Sequence, residues 1–86
     1  MKLRLWHVLV FAMSATAYAQ DVPEDSLYVR ATRFLASGEI EQGTGAVEML
    51  LRLYPNSAQG YNLRGTIFRN EGKNRQAIEM FRRSMG

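Results

Sequence analysis

The sequence predicts an all-α chain: two stacked antiparallel helix hairpins behind a cleavable leader. Three observations predict it. Past residue 20 the chain matches itself at one fixed lag, the one that lays Phe34 on Phe68. Apolar side chains recur there at helical spacing in four stretches. Those stretches are parted by Gly38, by Pro55-Asn56-Ser57 and by Gly72, which are helix-stopping residues.

The first element is an address rather than a fold. Lys2 and Arg4 precede an apolar run from Leu5 to Ala15, and small residues follow, ending in Ala17-Tyr18-Ala19. This is the order of a secretory signal peptide, with cleavage expected after Ala19. An uncleaved anchor is the alternative. A membrane span needs about 20 apolar residues, and this run is shorter and meets Asp21, Pro23, Glu24 and Asp25 at once. Residues 1–19 are therefore expected as the leader and 20–23 as a short start of the mature chain. Residues 24–57 and 58–86 are expected as two repeats. The location expected is periplasmic or secreted. The absence of cysteine from the 86 residues is compatible with that compartment.

The first predicted helix, Pro23–Ala36, carries Leu27, Ala31, Phe34 and Leu35 at i, i+4, i+7, i+8 spacing. Gly38 suits the left-handed residue just past a helix end. The second, Ile40–Tyr54, presents Val47, Leu50, Leu51 and Tyr54. Its start holds Gly43-Thr44-Gly45, and each glycine costs a helix about 1 kcal/mol relative to alanine. A later start, near Ala46, is the alternative. The third, Ala58–Asn70, places Tyr61, Gly65 and Phe68 on one stripe with Ile67 beside it, and Ser57 is its expected cap. The fourth, Arg75–Met85, follows Gly72 with Asn74 as its expected cap. It carries Ala77, Ile78, Phe81 and Met85.

At the same lag Arg30 falls on Arg64, Gly38 on Gly72 and Ala31 on Gly65. With Tyr61, Gly65, Phe68, Gly72, Ala77, Phe81 and Ser84 in the second copy, the chain resembles the tetratricopeptide repeat family. The first copy matches with Leu27, Ala31, Phe34, Gly38, Val47 and Pro55. It departs with Gly43 where alanine is usual and with bulky Leu50 where a small residue is usual. The resemblance implies a stack of helix pairs, an α-α superhelix, and a function in protein–protein interaction. Repeat arrays gain stability from neighbour interfaces, and about three units are usual. Two copies without a capping helix imply an open end, with Ile78, Phe81 or Met85 partly uncovered.

The chemistry of enzymes is thinly represented. The single histidine, His7, lies in the leader, and there is no cysteine. After Ala19 the chain has no imidazole base and no thiol nucleophile. No phosphate-cradling glycine loop and no calcium-loop spacing occurs. No catalytic residue, no metal site and no cofactor is expected, and no enzyme. The formal net charge of +3 falls to +1 once Lys2, Arg4 and His7 leave with the leader. A nucleic-acid partner is not expected, and neither is a stable membrane span after cleavage.

In the family that the chain resembles, the first helix of each pair lines a concave groove for a peptide or partner helix. The informative residues there are Tyr28 and Thr32 in the first copy and Asn62, Thr66, Arg69 and Asn70 in the second. The last four follow i, i+4, i+7, i+8 spacing and share one polar face. An Asn amide can pair with a peptide unit as both donor and acceptor, and Arg69 can fork onto a carboxylate. A solvated helix face is the plainer reading of the same residues. Charge is also uneven. Gln20–Leu51 holds six acids and two bases, and Arg52–Gly86 seven bases and two acids. Head-to-tail self-association through the C-terminal helix is one reading of that split.

Overall fold

A computed structural model describes residues 22–86. The expected leader over 1–19, its cleavage point, and Gln20 and Asp21 lie outside the described residues. Those described form four α-helices and no strand: α1 Glu24–Ala36, α2 Ile40–Leu53, α3 Ala58–Asn70 and α4 Asn74–Met85. Each pairs closely with its chain neighbour, α1 with α2 and α3 with α4. The two pairs meet mainly where α2 packs on α3, and α1 also touches α3.

The links within the pairs are one local motif used twice. Gly38 has φ 81° and Gly72 has φ 80°, the left-handed conformation that glycine adopts without a Cβ penalty. Glu39 N–H donates to Phe34 O at 2.9 Å, and Gly38 N–H to Leu35 O at 3.2 Å. The same two bonds recur at the equivalent positions of the second pair: Lys73 to Phe68 O at 2.8 Å and Gly72 to Arg69 O at 3.0 Å. This is the Schellman pattern, which satisfies the last carbonyls of a helix while turning the chain. The turn leaves so little slack that α4 starts directly from it. Asn74 is the first residue of α4, not its cap, and Lys73 in the cap position makes no side-chain bond to the helix. Ser57 does cap α3: Gly60 N–H donates to Ser57 Oγ at 3.0 Å, and the serine is buried.

α2 begins at Ile40 and runs unbroken through both glycines, so the late start near Ala46 does not occur. The reason is packing. Gly43 is buried against α1, where an added Cβ would lie 2.5 Å from Leu35 Cδ2. Leu50 is fully buried. The close approach across the α2–α3 seam is made by its neighbour Leu51: a Cβ on Gly60 would lie 2.6 Å from Leu51 Cδ2 and 2.9 Å from Leu51 Cγ. Bulk on α2 is matched by its absence on α3.

The core cluster joins three helices: Ala31 from α1, Val47 from α2, and Leu63 and Ile67 from α3. Tyr28, Leu35, Ala46 and Leu51 pack around it. Leu63 and Ile67 give α3 the largest share of this cluster. Ala77 and Met80 are the buried residues of α4. The second pair is closed by two reciprocal cation–aromatic contacts. Arg69 of α3 lies 6.0 Å from the Phe81 ring centre, and Arg83 of α4 lies 5.8 Å from that of Tyr61. Such contacts contribute about 0.5–1 kcal/mol each when exposed.

Candidate functional site

The residues expected to bind a partner stand on α1 and α3, which touch across the pairs less extensively than α2 and α3 do. Tyr28 is half-buried and packs against the core cluster. It offers only part of its side chain to solvent. Thr32 is exposed, and its hydroxyl donates to Tyr28 O one turn back at 2.8 Å. Thr66 repeats this at the equivalent place on α3, donating to Asn62 O at 3.1 Å. Both hydroxyl protons are therefore committed to the helix, and what remains outward is an acceptor lone pair.

Asn62 and Asn70 are exposed, so their amides are free to meet a peptide unit. Arg69 is exposed too, but its guanidinium leans over Phe81 toward α4. Reaching a carboxylate on the α1 side would require leaving that ring. Helical geometry puts Asn62, Thr66, Arg69 and Asn70 on one face of α3, with Asn62 and Thr66 nearer its start. Arg69 and Asn70 belong to the last turn of α3.

One polar atom escapes a reading of the sequence. Gln59 Oε1, in the first turn of α3, is enclosed and accepts no hydrogen bond among the described residues. An acceptor held in that state is about 1–3 kcal/mol less stable than a paired one. No periodicity could single it out, since the enclosure of one side-chain atom is a property of the folded packing.

Three depressions lie elsewhere. One follows the outer side of α1, along Ser26, Val29, Arg30, Arg33 and Phe34. Another opens between α1 and α2, where Leu27, Phe34, Ala46 and Met49 give it an apolar lining. The third, about 200 Å³, sits at the α2–α3 seam and is lined by Thr44, Val47, Glu48, Arg64, Ile67, Phe68 and Glu71, with Met80 of α4. Two aromatic rings are partly shielded by cations, Phe34 by Arg30 at 5.9 Å and Phe68 by Lys73 at 5.9 Å.

The surface charges are mostly solvated. Glu79 and Arg83 pair at 3.2 Å and Glu71 with Lys73 at 3.1 Å. Such pairs on exposed surface are worth little, about 0–1 kcal/mol. Glu48 makes no ion pair with Arg52 among the described residues; it lines the seam with Arg64. Among the described residues no group of three or more His, Cys, Asp or Glu could hold a metal ion. No helix of the described residues is long and apolar enough to cross a membrane. Comparison with protein-family models, with curated proteins and with solved structures gives no match to the chain.

Proposed function

We propose that the chain is an exported, non-catalytic helical-repeat protein of the tetratricopeptide type. In this reading it mediates protein–protein interaction or complex assembly in the cell envelope, through a groove lined by α1 and α3. The observation that carries the repeat reading is the recurrence of the same bonds at equivalent positions of the two pairs. The two Schellman turns repeat, and so do the threonine hydroxyl bonds of Thr32 and Thr66. Export rests on the leader pattern of residues 1–19. The partner in this reading is a peptide or helix presenting backbone amides to Asn62 and Asn70 and a carboxylate to Arg69.

A second reading is favoured by the exposure of Ile78 and Met85 on α4. Here the chain is a structural subunit, or part of a longer repeat array, that completes its core by docking on itself or on a larger complex.

Peptide display against the purified protein tests the first reading. Enriched peptides are expected to move the amide signals of Asn62, Arg69 and Asn70. Their binding should fall at least about ten-fold in the Asn62→Ala, Thr66→Ala, Arg69→Ala triple variant. That variant should keep its helical signal and most of its melting temperature, because surface changes typically shift stability by about 0.5 kcal/mol or less each and Arg69 adds the loss of one ring contact. Enriched peptides whose binding ignores these substitutions would contradict the groove.

A further inference from the structure

The α2–α3 seam shows how this molecule covers a helix face, and α4 carries the counterpart of that face. At the repeat lag, Thr44, Val47, Glu48 and Leu51 of α2 correspond to Ile78, Phe81, Arg82 and Met85 of α4. On α2 this set lies against α3. Val47 is in the shared core cluster and Leu51 packs around it. On α4 the Phe81 ring lies over Gly65, while its flanking members face outward: Ile78 is 52% exposed and Met85 82%. A flexible thioether and an isoleucine on one helix face make an adaptable apolar anchor.

The charge beside the anchor differs in sign. Glu48 shares its cleft with Arg64 of the covering helix. Its counterpart on α4 is Arg82, and Glu41, two turns earlier, corresponds to Arg75. Neither Arg75 nor Arg82 has an ion pair among the described residues. The covering helix that suits α4 therefore has the polarity of α3 reversed at the Arg64 position.

A second copy of the chain is a poor occupant through its α1, the helix that the repeat lag would seat there. Its α1 is the counterpart of α3, with Arg30 for Arg64 and Arg33 for Ile67. Seated on α4, it would put Arg30 beside Arg82 and Arg33 onto the apolar anchor. Like charges and a buried unpaired guanidinium select against that contact.

We propose that the outward face of α4 docks an amphipathic helix of a different protein, one with apolar side chains over Ile78 and Met85 and a carboxylate opposite Arg82. This surface is separate from the α1–α3 groove. It gives the docking arm of the second reading a partner of stated chemistry, and it stands whether or not the groove binds.

The test uses the purified protein with labelled Ile and Met methyl groups, titrated with two synthetic peptides. Both copy residues 57–71, the segment that covers the corresponding face of α2; one carries Arg64→Glu. The Arg64→Glu peptide should shift the Ile78 and Met85 methyl signals saturably. It should bind about five-fold more tightly than the unmodified peptide, a ratio in the range of exposed charge pairs. In the Arg82→Glu protein the order of the two peptides should invert, with the melt unchanged. The proposal is overturned if neither peptide moves these methyls, or if the order survives Arg82→Glu. It is equally overturned if the methyls broaden with protein concentration alone, which places a second copy there. Contacts from residues 1–21 to the same methyls would likewise overturn it. Retained amide signals at Asn62 and Arg69 during the titration keep this result distinct from any result for the groove.

Discussion

At Gly65 the second helix pair closes as tightly as its side chains allow. A Cβ built there would lie 2.7 Å from Phe81 Cε1 and 3.0 Å from Cζ, and a ring cannot bend away as an aliphatic tip can. Gly45, also inside a helix, has open space where its Cβ would go. The same substitution should therefore act in opposite directions. Gly65→Ala is expected to destabilise by about 1–2 kcal/mol, overpacking outweighing the gain in helix propensity. Gly45→Ala is expected to stabilise by up to about 1 kcal/mol. Thermal melts of the two variants check this, and a shift of the same sign in both would contradict the packing described. Residue identities are informative where a position has one physical solution. Gly38 and Gly72 are readable as left-handed turn residues. Gly43 looks like an irregularity in the sequence because it is explained only by what lies across from it, Leu35.

The four elements begin and end where local chemistry places them, within a residue or so of expectation. Apolar stripes of helical period set their existence, and caps set their limits. Ser57 illustrates the second point. Its side chain takes the Gly60 N–H, and its backbone carbonyl accepts from Tyr61 at 3.1 Å. Ser57→Ala should cost about 1 kcal/mol, seen as a lower denaturant midpoint at unchanged slope. No effect would mean that water replaces the bond in full. Asn74 shows the limit of reading caps from sequence. Asn is a favoured cap, yet the Schellman turn brings the chain round so soon that Lys73 holds the position. The aromatic hydroxyls add ties that no helical pattern reveals. Tyr54 Oη donates to Val22 O at 2.6 Å and Tyr61 Oη to Pro55 O at 2.9 Å. The first links the start of α1 to the end of α2, and the second braces the linker between the pairs.

The whole molecule is a short stack in which α1, α2 and α3 supply the shared interior and α4 closes on α3. Its architecture is readable because one repeat lag governs both sequence and hydrogen bonding. The proposed groove surface is only partly so. Periodicity puts Asn62, Thr66, Arg69 and Asn70 on one face, but tertiary contact draws Arg69 over Phe81, and a backbone bond commits the Thr66 proton. The exposure of Ile78 and Met85 is legible because no helix follows α4 among the described residues. The reversed charge at Arg82 acquires meaning only beside the seam that Glu48 and Arg64 form. Small domains near this size sit close to the limit of independent folding, and an uncovered helix face tests that limit. The central claim is that the two pairs form one self-sufficient helical unit whose open surfaces serve other proteins. Helical circular dichroism of the purified protein, melted over a hundred-fold range of concentration, tests it most directly. A single cooperative transition at a concentration-independent temperature is expected. A melting temperature that climbs with concentration, or an absence of helix at every concentration, would contradict it.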